Sequence, residues 1–363
     1  MKLQVTQENL NKALGTVARV ANTRGTLPVL ANVLIKTVNN RLSIAATNLD
    51  IAITHYIGAK VDDEGSITVP ARLMQDFVSS LPGGVINLDL DEYKLHIATD
   101  QYQSVINGVS AEEFPVMPGI SEGKRWTVAG PALKQGLQQV VMAASSDEAR
   151  PVLTGVLLQT YEGRLYMAAT DSYRLAEKAL TENAETIDLL VPGSAMQDLL
   201  RIVSDFEGDV DVISDEQQVQ FRVGDVELVA RLIEGKYPDY RKLIPESFAV
   251  TATLKRSDLL NVTKVSSLFA RESAGSITIN VDEEAQHISI RSVASQLGEN
   301  TATANAKVLG SGVITLNSRY LLDALHALHG DDVVFGFNGK LEPTVLRDPS
   351  AQDYTHIVMP LKS

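Results

Sequence analysis

Six histidines are the side chains best suited to hold a metal or move a proton: His55, His96, His287, His326, His329 and His356. His326 and His329 form an H-x-x-H pair, a spacing at which two imidazoles could meet one ion. No carboxylate motif stands beside them, and the helix dipole alone favours imidazoles near a helix C-terminus, so no metal site is expected. Acidic clusters occur at Leu88-Asp89-Leu90-Asp91-Glu92, Ser214-Asp215-Glu216 and Asp282-Glu283-Glu284. Paired carboxylates could carry two-metal chemistry, but these clusters fall between strand patterns and read as solvated turns. Gly336-Phe337-Asn338-Gly339-Lys340 lacks the spacing of a phosphate-cradling loop and also reads as a turn. The chain has no cysteine, which excludes disulfides and thiolate ligands and fits a reducing, cytoplasmic setting. No catalytic constellation emerges, and neither an enzyme nor a cofactor site is expected. The C-terminus is informative in another way. Ile357, Val358, Met359 and Leu361 crowd a stretch that is ordinarily polar. Leu361 after Pro360 suggests an apolar lip beside a groove, a feature that binds partner segments.

The elements that must position these residues come in three copies. Leu27-Pro28-Val29 recurs as Arg150-Pro151-Val152, and Ala46-Thr47-Asn48 recurs as Ala169-Thr170-Asp171, both at an offset of 123. Leu42 and Ile44 correspond to Leu165 and Met167, then to Ile288 and Ile290. A period this long is domain-sized, not a solenoid unit. Each copy opens with a strand and a helix. Leu10, Leu14 and Val17 fall on one helical face, as do Leu133, Leu137 and Val140. The third copy starts a helix near Ser257, a residue type suited to the N-cap, with its register drifted. A hairpin follows, with Asn39-Asn40 and Glu162-Gly163 as two-residue turns. A second helix begins at Ala71, Gly193 and Ser318, and further alternating strands close each copy. The expected domains are 1–120, 126–246 and 247–363, each α+β with two helices packed on sheets.

Charge and hydropathy narrow the function classes. No run approaches the roughly 18 apolar residues of a membrane span, and residues 1–10 lack the apolar core of a secretory signal. The net charge of −13 argues against a surface that coats phosphate backbones everywhere. The six expected helices, spanning 7–21, 71–82, 131–144, 193–204, 256–271 and 318–330, nevertheless sum to +4. The helices are therefore the least acidic part of an acidic chain.

Four segments acquire meaning together: Thr170-Asp171-Ser172-Tyr173-Arg174-Leu175, Tyr237-Pro238-Asp239-Tyr240-Arg241, Asn317 to Tyr320, and Val358-Met359-Pro360. In combination they resemble the bacterial DNA polymerase III beta subunit family, the sliding clamps, and the resemblance runs from Met1 to Ser363. It implies a ring-shaped homodimer of DNA-clamp domains, with helices lining a hole around double-stranded DNA and sheets outside. It also implies a non-catalytic function: tethering the replicative polymerase, and receiving the clamp loader and repair proteins, through short linear peptides.

The positions matching the family's peptide groove are Leu153, Thr170, Ser172, Tyr173, Arg174, Leu175, Pro238, Lys242, Leu243, Asn317, Tyr320, Thr344, Ile357, Val358, Met359, Pro360 and Leu361. Phe77, Leu81 and Ile106 match one side of the dimer contact, and Leu268 and Phe269 the other. Lys12, Arg24 and Arg72 match DNA-contacting positions. The chain differs from some relatives at Gly193-Ser194, where they carry a basic pair, and at Asp147, in the loop corresponding to Arg24. The rival classes are an enzyme with a site between repeats and a repeat-built interaction protein that never encircles DNA.

Overall fold

The computed structural model describes residues 1–21, 27–182, 185–296 and 298–362. The chain divides into two compact units, one of residues 1–131 with 198–232 and the other of residues 132–197 with 233–363. Six α-helices occur among the described residues: α1 (Gln7–Val17), α2 (Ala71–Ser80), α3 (Gly130–Val140), α4 (Gly193–Ile202), α5 (Arg256–Phe269) and α6 (Ser318–Ala327). Each ends earlier than the sequence pattern implies. Arg19 and Arg271 therefore lie beyond helix ends, and the helices sum to +2, not +4.

The repeat appears in the packing. Leu10, Leu14 and Val17 of α1 and Leu137 and Val140 of α3 are 0 % exposed, with Leu133 at 1 %. The same i, i+4, i+7 face of α5 carries Leu259, Thr263 and Ser266. Two hydroxyls have replaced aliphatic side chains there, which is why the apolar pattern of the third copy drifts. Both are accommodated: Thr263 Oγ1 donates to the Leu259 carbonyl at 2.7 Å, and Asn300 Nδ2 donates to Ser266 Oγ at 2.9 Å. Ser257 is not the N-cap. The strand Val250–Lys255 runs straight into α5, and the Arg256 amide donates to the Asp331 carbonyl at 2.8 Å. That bond satisfies a first-turn donor without a capping side chain.

The hairpins form as the turn chemistry requires. Asn39 and Asn40 take φ of 49° and 59°, and Glu162 and Gly163 take 47° and 75°, the consecutive positive values of a tight hairpin turn. Two other local expectations hold only in part. Asp89 lies inside the strand Val85–Asp91, its carboxylate on the exposed face opposite buried Leu88 and Leu90's row, because alternation, not turn chemistry, governs that run. Gly336 lies inside the strand Asp332–Phe337, where the Phe248 ring crosses so closely that a Cβ would sit 2.8 Å from it.

Among the described residues, each unit holds two antiparallel sheets, with five and eight strands in the first unit and nine and four in the second. The larger sheets cross from one copy to the next. In the first unit, Val226–Arg231 pairs with Ile51–Gly58, with Ala230 opposite Ile51. In the second, Ala351–Val358 pairs with Arg174–Glu182, with Val358 opposite Arg174. Among the described residues, no helix is long and apolar enough to cross a membrane.

Candidate functional site

The residues of interest in the second unit converge on the turn between the strands Arg164–Thr170 and Arg174–Glu182. Thr170 and Asp171 build this turn with their side chains. Asp171 Oδ1 accepts from the Tyr173 and Arg174 amides, each at 2.9 Å. Thr170 Oγ1 donates to the Arg174 carbonyl at 2.6 Å and accepts from the Ser172 amide at 3.2 Å. Ser172 takes φ of 76°, a conformation that small and Asx residues favour in turns. The Tyr237 hydroxyl accepts from the Thr170 amide at 2.9 Å, and burial pushes its pKa up.

Arg174 locks the turn to the neighbouring elements. It is 9 % exposed and forms ion pairs with Asp171 at 3.2 Å and with Asp323 of α6. The third guanidinium nitrogen donates to the Met142 carbonyl. The guanidinium lies 4.7 Å from the Tyr320 ring centroid, and Tyr173 stacks on Tyr320 at 6.5 Å and 19°. Burial raises the Tyr320 pKa, with the Asp171 charge adding to it. An ion pair this enclosed is costly to break, because the surviving partner stays buried without compensation.

Beneath the turn lies an apolar floor of Leu153, Leu157, Leu175, Leu190, Tyr240 and Ile357, with Ile244, Phe248 and Met359 packed at its margin. The final strand extends this wall: the Met359 amide donates to the Tyr173 carbonyl and the Leu361 amide to the Thr315 carbonyl, both at 2.8 Å. A buried chain of hydrogen bonds supports the strand from below. Tyr354 Oη donates to the Gln139 carbonyl at 3.0 Å and stands 2.7 Å from His356 Nδ1. One hydroxyl proton serves one acceptor, so His356 Nδ1 carries the proton that reaches Tyr354. Complete burial lowers the His356 pKa to about 3, and Arg174 contributes in the same direction.

The structure thus unites Leu153, Leu175, Ile357 and Met359 around one floor, and Thr170, Ser172, Tyr173, Arg174 and Tyr320 around one turn. Leu153, Leu175, Thr344, Ile357 and Val358 are buried in the free chain, as floor and core. Tyr173 and Leu243 are about half exposed, at 56 % and 50 %, while Met359, Pro360 and Leu361 are half-buried. Pro238 is exposed and its carbonyl accepts from the Tyr240 amide; Lys242 is exposed and pairs with Asp239 at 2.7 Å. Asn317 is occupied in capping α6 through Arg319, and it also reaches the Ala274 carbonyl. Tyr237, Tyr240, Asp323 and Met142 were not singled out from sequence. The two tyrosines stand in the same Tyr-Pro-Asp-Tyr-Arg motif that flagged Pro238, whereas nothing local marks Asp323 or Met142.

Elsewhere, Leu81 and Ile106 are only 7 % and 5 % exposed and Phe77 is half-buried, while Leu268 is 50 % exposed and Phe269 half-buried. Lys12 is exposed on α1, and Arg72 is exposed on α2 with Asp76 at 4.0 Å. Arg24 lies outside the described residues. Lys12 also borders a cleft of about 220 Å³ in the first unit that Arg19, Asp198 and Arg201 share. Arg201 pairs with Asp198 at 2.6 Å, and burial raises the Asp198 pKa. His326 sits in the last turn of α6 and His329 beyond its end, both exposed. No group of three or more metal-ligating side chains occurs among the described residues.

A chain of like domains, whose most elaborated feature is a hydrogen-bonded turn over an apolar floor, has the form of a protein that holds partners. Comparison with known proteins makes this specific. Models of the DNA polymerase III beta subunit match in series: the N-terminal domain over residues 1–118, the central domain over 127–239 and the C-terminal domain over 241–362. The beta sliding clamp of Synechococcus elongatus is 33 % identical, the alignment covering 100 % of this chain and 99 % of the relative. That of Staphylococcus epidermidis is 28 % identical over all of both chains. Among solved structures, the Bacillus subtilis sliding clamp superposes with a TM-score of 0.95 at 26 % identity, covering 100 % of this chain and 99 % of that one. A Bartonella birtlesii clamp bound to griselimycin gives 0.95 at 26 % identity with full coverage of both. The chain belongs to the family of DNA polymerase III beta subunits, the beta sliding clamps.

Proposed function

We propose that this protein is a DNA sliding clamp that encircles duplex DNA as a homodimer and tethers the replicative polymerase, conferring processivity without catalysis of its own. The observation that carries this reading is family membership along the entire chain, domain by domain. The three domains are 1–120, 126–246 and 247–363, and the protein works in the cytoplasm. Tethering acts through effective concentration: a polymerase held at the template rebinds before it diffuses away. Weak, screened phosphate contacts from Lys12, Arg24 and Arg72, joined by Arg19 and Arg201, favour DNA while permitting sliding.

Partners dock on the second unit. The apolar floor under Tyr173 and Met359 takes leucine- or phenylalanine-type anchors, and polar groups of the Thr170–Arg174 turn fix the peptide backbone. Polymerase, clamp loader and repair proteins would share this one groove. Phe77, with Leu81 and Ile106 behind it, meets Leu268 and Phe269 of a second copy, a contact that closes by two-fold symmetry.

Retention on nicked circular DNA, with release on linearisation, tests the topological claim. A chain that stays on linear DNA, or never stays on the circle, is not a clamp. Removing residues 359–363 should abolish partner-peptide binding with the dimer intact. Leu268→Ala with Phe269→Ala should give monomers by light scattering.

A further inference from the structure

The turn at Thr170 has a counterpart 123 residues earlier, and its construction is the same. Thr47 Oγ1 donates to the Ile51 carbonyl at 2.9 Å and accepts from the Leu49 amide at 3.0 Å. Asn48 Oδ1 accepts from the Asp50 and Ile51 amides at 3.1 and 2.8 Å. The strand of the following copy docks on it identically: Arg231 donates its amide to the Asp50 carbonyl at 2.9 Å, as Met359 does to Tyr173. A cleft of about 200 Å³ opens beside this first turn, within the first unit.

Its lining is unusual for idle surface. Leu49 holds φ of 80° while 47 % exposed. A leucine gains neither backbone comfort nor burial there, and uncompensated strain of this kind clusters at functional positions. Val116, between Pro115 and Pro118, is 95 % exposed on the opposite wall. Gln218 Oε1 is buried without a hydrogen-bond partner. Arg231 and Asp50 are both exposed in the lining, and neither makes an ion pair among the described residues.

We propose that this cleft is a second docking site for a short extended peptide of a partner protein, one that carries an apolar side chain followed by a carboxylate. The apolar side chain lies between Leu49 and Val116, a peptide amide donates to Gln218 Oε1, and the carboxylate pairs with Arg231. Arg231, the one cation of this lining, selects the acidic residue, which takes the guanidinium side of the cleft and leaves Asp50 to solvent, and the prolines present a wall that loses little entropy on binding. The inference rests on reading the second-unit turn as a peptide groove.

The test uses a fluorescein-labelled octapeptide with two leucines followed by two aspartates, flanked by glycine and serine. Its anisotropy is followed with the full chain and with the chain lacking residues 359–363. The truncated chain should still bind, and in that background Arg231→Glu or Leu49→Asn should weaken binding roughly tenfold, with circular dichroism unchanged. Asparagine tolerates the positive φ, so the second variant keeps the turn. Binding to the full chain but not to the folded truncated chain would overturn this site and leave the second-unit groove standing. Binding that survives truncation and both substitutions, or no binding to either chain, would overturn it as well. If the truncated chain does not fold, the full chain with benzoylphenylalanine in place of Val116 replaces it. Photo-crosslinking of the probe at that position supports the proposal, and a crosslink-free probe refutes it.

Discussion

The two equivalent turns, Thr47 to Ile51 and Thr170 to Arg174, share the four threonine and Asx side-chain bonds that fix their backbones and almost no outward chemistry. In one, the last position is Ile51, 4 % exposed; in the other it is Arg174, held by two carboxylates and a carbonyl. The position before it is Asp50 in one and the half-exposed Tyr173 in the other. A threonine and an Asx residue suffice to cage the backbone, because their side chains satisfy the turn's own amides. Once the cage holds itself, the remaining positions are free to diverge. Duplicated domains thus specialise on an unchanged frame.

Breaking the arginine lock should separate the turns most. Arg174→Ala leaves Asp171 and Asp323 without their cation and should destabilise the second unit by about 3 kcal/mol in urea unfolding. Little change would mean that the ion pairs are ornamental. Acid should discriminate next. His356 lies on the strand opposite Ala176, and His55 lies in the strand that leaves the first turn. Burial lowers their pKa values to about 3 and about 4. Both ionise near pH 6.5 in the unfolded chain, so stability is full above that pH and falls as pH drops toward 4. Each histidine contributes about 1.4 kcal/mol per pH unit to that loss. His356→Phe should remove one share of the slope between pH 6.5 and 5, read from unfolding midpoints.

The shared cage makes a prediction of sameness. Thr47→Ala and Thr170→Ala should each cost about 1 kcal/mol, and unequal losses would show that the two frames are not equivalent. The smallest effect has the opposite sign. Leu49→Gly relieves a left-handed leucine and should raise stability by about 0.5 kcal/mol after the added unfolded-chain entropy, measurable by thermal unfolding.

Much of the fold was legible because the repeat prints each helix face and hairpin more than once. Leu10, Leu14 and Val17 gain authority from Leu133, Leu137 and Val140. The third copy hid its face behind Thr263 and Ser266, whose hydroxyls are satisfied only by bonds that exist after folding. The site was legible unevenly. Tyr173 and Met359 came through the resemblance, but burial of Arg174 depends on Asp323 and Met142, which are distant in sequence and carry no local signal. The expected interface residues Leu81 and Ile106 are mostly enclosed by their own unit, since an apolar residue type does not say which neighbour covers it.

The ladders between Ile51–Gly58 and Val226–Arg231, and between Arg174–Glu182 and Ala351–Val358, also bear on how such a protein can be taken apart. Excising one copy would strip a strand of its neighbour and leave a row of bare amides and carbonyls. Such a fragment, although domain-sized, should associate edge to edge instead of remaining dispersed. Gene fragments encoding one third of the chain are therefore poor reagents, and cuts that respect the ladders should yield better-behaved pieces.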